Sequence, residues 1–343
     1  MKKMSSAILL GAMLVFANCK ANGVEAGQDD SASKFYKSLI QLGNGFLDVF
    51  TSFGGLVADA LGFKADPKKS DVKTYFESLS KKLEETKNGL AKLSKGNDGA
   101  ADGAGGAGGA GGAGGAGGAG GVEGAITEIS GWLDEMAKAA AAAASAATGG
   151  SDEAIGDVVN ADGTTAAKGG DATSVNGIAS GIKGIVEAAD GGGGAGDADK
   201  AAAAVSAVSG EQILKAIVDA AKDGKDKTGV NDVKDATNPI DAAIGSTGAG
   251  QNADAFDTMT KDDQIAAAMV LRGMAKGGQF ALKDADHEKA KGTVKNVVES
   301  AVTKTVGALT NLVRKTVQAG LKKVGDVVKA DSSKEAPSSA SDK

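Results

Sequence analysis

Between Val122 and Ala147 the apolar residues fall at helical intervals: Val122, Ile126, Ile129, Leu133 and Met136, continued by Ala140, Ala143 and Ala147. On a helix these positions share one face, which must lie against another apolar stripe. Trp132, the only Trp, lies beside this seam, and Gly149-Gly150 stop the helix. Other stretches repeat the pattern. Asp66-Pro67 supplies an N-cap and a first helical residue, and Val72, Phe76, Leu79, Leu83, Leu90 and Leu93 make one stripe to about Ser94. Lys34 to Phe63 is the most aromatic segment, with Leu39, Phe46, Phe50, Phe53 and Val57 at helical spacing, loosened near Gly43, Gly45 and Gly54-Gly55.

The longest pattern runs from Glu288 to Ala330. Val294, Val298, Ala301, Ala308 and Leu312 form one stripe, and Val317, Leu321, Val324 and Val328 continue it in a shifted phase. Fully helical, it spans roughly 60 Å, with Gly307, Gly320 and Gly325 as possible bends. Thr260 to Lys276 differs. Thr260 with Asp263 resembles a capping box, only Arg272 is charged from Ile265 to Ala275, and Gly277-Gly278 cap the end. A helix apolar nearly all round is a buried one. Arg272 should reach an Asp or Glu partner or the helix-end solvent.

Ser151 to Gly250 has another texture, with short helical pieces at Ser151–Asn160, Ser174–Ala189, Asp197–Ser209, Gly210–Lys222 and Pro239–Gly245. Asn238-Pro239 repeats the cap-plus-proline signal. The intervening Ala161–Asp171, Asp190–Gly196, Asp223–Thr237 and Ser246–Ala255 show no periodicity and should be exposed loops tolerant of change. Ala104 to Gly121 repeats Ala-Gly-Gly, which cannot bury enough area to offset the entropy of ordering glycine. Without proline the repeat does not suit a collagen helix. Three prolines in 343 residues, with abundant Ala and Lys, favour helix throughout. The expected fold is all-α, an elongated helical bundle with Gly/Asp-rich variable loops and no or minimal sheet.

The chain begins MKKMSSAILLGAMLVFANC. Lys2 and Lys3 precede an apolar run, Ile8 to Ala17, too short for the roughly 20 residues that cross a bilayer. It ends at Cys19, the only cysteine. A secretory signal ending on a lone Cys suggests a lipoprotein, cleaved before Cys19 and acylated on its thiol, although Asn18 stands where Gly, Ala or Ser is usual. The expected organisation is a signal peptide over 1–18 and a flexible tether over 19–33. A single helical domain then covers 34–330, with a Gly/Ala low-complexity loop at 97–121, and a disordered tail covers 331–343.

Chemistry is sparse. One His and one Cys exclude a zinc site of the usual kind, and a net charge of −6 argues against nucleic acid as a partner. Gly191, Gly193 and Gly196, like Gly106, Gly108 and Gly111, match G-x-G-x-x-G, but neither follows a strand pattern. Ser180 and Lys183 fit S-x-x-K without the other pieces of that site. His287 sits among Asp286, Glu288 and Lys289 and reads as solvated. Helix capping accounts for Asp262-Asp263 better than a cation does. The Lys-rich face of the C-terminal helix reads as solvated, with anionic lipid or host polysaccharide as its functional alternative. No cofactor, metal or catalytic residue is expected, and the chain does not read as an enzyme.

Several stretches together carry a resemblance. KFYKSLIQLGNGFLDVFTSFGGLVADALGFKADPKKSDVKTYFESLSKKLEE, AVSAVSGEQILKAIVDAA, NPIDAAIG and KDDQIAAAMVLRGMAKGGQFALK resemble the variable large proteins of Borrelia and the related variable surface antigen of Lyme spirochaetes. The resemblance runs from Met1 to about Lys329. It implies a mostly helical outer-membrane lipoprotein, held in lipid through acylated Cys19, with both chain ends near the membrane and variable loops outward. It implies antigenic variation, with host antibodies as partners. A host-ligand adhesin varied under immune pressure is the alternative, but no fixed basic or aromatic patch stands out in the sequence.

Overall fold

The computed structural model describes residues 66–95, 119–149, 152–161, 168–191, 208–245 and 256–334, all within one compact unit, Gln41–Lys343. The expectations for Cys19, the tether, the aromatic segment Lys34–Phe63 and the loop Ser246–Ala255 lie outside these residues, as do nearly all of the Ala-Gly-Gly array and the expected helix Asp197–Ser209 except for its last two residues, of which Ser209 is the N-cap of the next helix.

The elements are α1 (Lys69–Lys95), α2 (Ala119–Ala146), β1 (Val158–Ala161), α3 (Ala172–Gly191), α4 (Gly210–Ala220), a 3-10 turn (Val233–Asp235), α5 (Pro239–Ile244), α6 (Asp262–Met274), β2 (Phe280–Lys283) and α7 (Asp284–Lys334). The seam expected on α2 is buried: Ile126, Ile129, Leu133, Met136, Ala140, Ala143 and Ala147 are in the core, with Val122 packed at its edge. It faces Val72, Phe76, Leu79, Leu83 and Leu90 of α1, also buried. The two helices run antiparallel. Ser80 Oγ donates to the Ala137 carbonyl at 3.0 Å and Lys87 pairs with Asp134 at 2.5 Å.

On its other side α2 meets α3 through small residues. A Cβ added at Gly177, Gly181 or Gly184 would lie 2.4, 2.5 or 2.9 Å from the Cβ of Ala146, Ala143 or Ala139. The backbones approach closely because neither helix carries bulk there. α7 runs along the bundle as one helix of 51 residues, about 76 Å at 1.5 Å per residue. No break occurs at Gly307, Gly320 or Gly325. Gly320 instead lets α7 approach α2, where its Cβ would meet Ile129 at 3.1 Å. α7 also receives the buried Tyr75 hydroxyl of α1, 2.8 Å from Thr310 Oγ1.

Several expectations need correction. Ser151–Asn160 is not a helix. Ile155 N–H donates to the Pro67 carbonyl and Lys69 N–H to the Glu153 carbonyl, both at 2.9 Å, so the segment is pinned extended against the start of α1. It then enters β1, which pairs in parallel with β2 from Val158↔Phe280 to Ala161↔Lys283. Asp66-Pro67 does not cap α1, which begins at Lys69. Asp71 accepts instead from Lys68 N–H at 2.8 Å, the reach-back half of a capping box. Thr260 is not the N-cap of α6: Lys261 is, with no side-chain cap, and Asp263 accepts from Gln264 N–H at 2.9 Å. α2 begins inside the array, at Ala119, and α7 starts at Asp284 and continues past Asp331 to Lys334.

The α7 stripe is broader than expected. Val298, Ala308, Val317, Leu321 and Val324 are buried as expected, and Val302, Val306, Leu309 and Val313 are buried beside them, whereas Ala301 and Leu312 lie at the margin. Apolar residues occupy neighbouring positions here (Ala301-Val302, Ala308-Leu309, Leu312-Val313), so periodicity alone allows two faces. The Asp223–Thr237 loop is not wholly exposed either. The 3-10 turn buries Val233 and Ala236 with Ala242, Met259 and Ala268.

Close packing at α2–α3 has a direct consequence. Gly181→Val should lower the unfolding free energy by about 1–3 kcal/mol through overpacking. Gly89→Ala on α1, where an added Cβ meets nothing within 4 Å, should raise it by up to about 1 kcal/mol through helix propensity. Urea denaturation of both variants measures the contrast; equal effects would mean that the helices do not approach as described.

Candidate functional site

α6 has no polar face to turn to water. Ala267, Ala268, Val270, Leu271, Gly273 and Met274 are buried, as the sequence leads one to expect. The one charge among them, Arg272, is buried too. Among the described residues it finds no carboxylate. Its guanidinium donates to main-chain carbonyls: Ala242 at 2.9 Å, Ala243 at 3.3 Å, Gln279 at 3.4 Å, and Gly245. Three of these close the end of α5, where carbonyls lack helical partners. Phe280 covers the group, with the guanidinium carbon 6.0 Å from the ring centroid. Burial lowers the Arg272 pKa to about 10, still charged at neutral pH.

The turn leaving α6, Ala275–Gln279, collects bonds from α1, the segment before β1 and the start of α3. Lys69, whose side chain is only 1% exposed, donates to Glu153 and to the Gly278 carbonyl, each at 2.7 Å. Glu153 also accepts from Gly277 N–H at 2.9 Å. Lys276 N–H donates to Ser174 Oγ at 3.1 Å, and Asp171 N–H to the Lys276 carbonyl at 2.8 Å, tying in the start of α3. Gln279 binds the Lys168 carbonyl through its N–H and Asp157 through its side chain, both at 2.8 Å. Burial lowers the Lys69 pKa, against the raising effect of Glu153. Burial alone would raise Glu153, but the bonds from Lys69 and Gly277 and the nearby Lys69 and Lys276 charges leave it below the usual carboxylate range.

This junction is structural in its chemistry: Lys69, Glu153, Asp157 and Arg272 are each bound to a carbonyl, an N–H or an opposite charge, while Lys276 is exposed. Elsewhere the candidate residues stay apart. Ser180 is exposed, and Lys183 pairs with Glu187 at 3.0 Å. Gly191 ends helix α3 and follows no strand. His287 lies on α7, its side chain outside the described residues. On the Lys-rich face, Lys322 pairs with Asp326 at 2.8 Å, and Lys323 binds Glu128 and sits 5.7 Å from the Trp132 ring centroid. An open groove between α1 and α2, lined by Lys73, Glu77, Ser80 and Ala144, brings no nucleophile against a base. Among the described residues no group of His, Cys, Asp or Glu could hold a metal ion, and no helix is long and apolar enough to cross a membrane. Sequence reasoning missed Lys69 and Glu153, since a lysine in KKSD and a glutamate in SDEA read as solvated.

The fold and its junction define a class: a helical scaffold that carries connecting segments. The family described as Borrelia lipoprotein matches residues 46–196 and 188–328, and the chain belongs to that family. Variable large protein 12 of Borrelia hermsii is 34% identical over 100% of this chain and 96% of its own length. Variable large protein 4 of the same organism is 32% identical over 96% of this chain and 93% of its own. The crystal structure of the Lyme disease variable surface antigen VlsE of Borrelia burgdorferi superposes with a TM-score of 0.63 at 46% identity, covering 86% of this chain and 99% of that one.

The junction should titrate. The folded pKa of Glu153 lies below its unfolded value near about 4.3, so its stabilisation is present above that pH and lost as pH falls through the folded value. The wild-type urea midpoint should therefore fall between about pH 5 and 3 more steeply than that of Glu153→Gln. Parallel pH profiles would remove Glu153 from the account.

Proposed function

We propose that this chain is a surface-exposed outer-membrane lipoprotein of antigenic variation: acylated at Cys19, it presents loops that change between variants so that host antibodies against one miss the next. The supporting observation is end-to-end similarity to variable large proteins and to a variable surface antigen, on a scaffold whose buried residues lie mainly on helices. Such a division suits the role. Exposed connections tolerate change because few core contacts constrain them, while α6 and its junction do not. On this reading, residues 1–18 are a signal peptide, 19–33 a tether and 34–330 the antigen domain. Outer-membrane lipid and host antibodies are the partners, and no residue is catalytic.

Two measurements test it. One acyl chain binds a membrane only marginally, so multiple acylation at Cys19 is expected. Radioactive palmitate should label the wild type and leave Cys19→Ala unlabelled, and equal label in both would end the lipoprotein reading. Antibodies against a peptide covering Lys261 to Lys283 should bind denatured protein strongly and intact cells weakly. Strong, uniform labelling of live cells would show α6 exposed and contradict the division between scaffold and display.

A further inference from the structure

Between α4 and the 3-10 turn, residues 222–226 and Thr228 are exposed and polar. The backbone at their C-terminal side, at Lys227 and Gly229, is held by side chains that belong to other elements. Asn176 of α3, itself 7% exposed, donates through Nδ2 to the Lys227 carbonyl at 2.8 Å and accepts through Oδ1 from Lys227 N–H at 2.9 Å. A second donation at 2.9 Å to the Ala172 carbonyl fixes its amide plane. Asp241 of α5 accepts from Gly229 N–H at 3.2 Å. At Gly229 the φ of +82° and an added Cβ only 2.5 Å from Ile244 Cγ2 admit no side chain. Inside the loop Lys225 N–H donates to Asp223 Oδ1 at 3.1 Å and Gly224 N–H to the Ala221 carbonyl at 3.1 Å. Gly224 carries a φ of +65°, with nothing within 4 Å of an added Cβ.

The clamps from Asn176 and Asp241 grip main-chain atoms only. Nothing in them reads the side chains at Lys222, Lys225, Asp226 or Thr228. We infer that residues 222–228 form a preorganised antibody-binding surface whose backbone shape is set from below by Asn176, Gly229 and Asp241 and within the loop by Asp223, so that its exposed side chains at 222, 225, 226 and 228 can change without changing its shape. The inference rests on the antigen reading and adds to it which residues are free and which are bound to stay. A loop already ordered loses less conformational entropy when a paratope closes on it than a flexible one does. Its alternating charges, Lys222, Asp223, Lys225, Asp226 and Lys227, suit polar, adaptable antibody contacts. Variants selected by antibody should therefore differ at 222, 225, 226 and 228 and keep Asn176, Gly229 and Asp241.

The test uses the full mature chain with Lys222→Glu, Lys225→Glu, Asp226→Lys and Thr228→Glu combined. Its thermal midpoint should stay within about 2 °C of wild type, as exposed substitutions do. Serum raised against folded wild type and depleted on this variant should keep a fraction that binds wild type. A free peptide of residues 220–230 should compete for that fraction at least about 100-fold less well than the folded protein, the gap that preorganisation supplies. Asn176→Ala, which leaves the exposed residues untouched, should weaken binding of that fraction at least about 10-fold. If Asn176→Ala does not fold, hydrogen exchange of the wild type decides: the amides of Gly224, Lys225, Lys227 and Gly229 should exchange at least about 100-fold more slowly than in the peptide. A large drop in midpoint, an empty depleted fraction, equal competition by the peptide, or exchange at peptide rates each overturns the inference. Serum that binds the folded protein but never intact cells would overturn the antigen reading instead, leaving the exchange and melting results standing.

Discussion

The bundle is organised by how α6 leaves the core. A helix without a polar face is stable only when surrounded, and its exit turn then carries main-chain groups away from water. Unmet, each such group costs about 1–3 kcal/mol. Here they are met by groups far apart in sequence: Lys69 and Glu153 at Gly277-Gly278, Ser174 and Asp171 at Lys276, Lys168 at Gln279. α1, the start of α3 and the segment before β1 are thereby joined at one place. Arg272 extends the same logic to α5, satisfying carbonyls that a helix of six residues cannot satisfy itself. A single carboxylate would have neutralised the charge without meeting those carbonyls, of which Ala243 also accepts from Gly170 N–H at 2.8 Å.

Elsewhere cohesion comes from closeness rather than bulk. Aromatic residues are 3% of the chain, and the interface of α2 with α3 is built from glycine and alanine. Dispersion falls off steeply with separation, so many small contacts hold only where backbones approach. Such an interface tolerates little enlargement. Exposed connections are under no comparable limit, and the relatives keep the overall similarity while differing at about two thirds of positions. A scaffold of this kind keeps its shape while its surface changes, which a varied antigen requires.

How far the amino-acid pattern could be read depended on how unambiguous each stripe was. The α2 seam and the α1 stripe each have one apolar face, and both are buried as expected. α7 offers two adjacent faces; Val298, Ala308, Val317, Leu321 and Val324 are buried as the pattern suggests, but the helices it packs against also bury Val302, Val306, Leu309 and Val313. Caps divide similarly. Asn238-Pro239 caps α5 as its local chemistry dictates, whereas Asp66 was drawn from α1 to Lys295 and Lys68. At Ser151–Asn160 a stretch with helical character became extended because the start of α1 and β2 offered it main-chain partners.

The sequence by itself determined an all-α body, the burial of α6, the seams of α1 and α2, and the absence of chemistry that needs clustered His or Cys. These follow from side-chain periodicity and composition, which act over a few turns of one helix. Only the tertiary structure decided the short parallel sheet, the register of α7, the buried Lys69–Glu153 pair, the carbonyl partners of Arg272 and the grip of Asn176 on Lys227. Each is a meeting of groups distant in sequence. A polar side chain looks the same in a sequence whether it faces water or a carbonyl, and packing alone settles which.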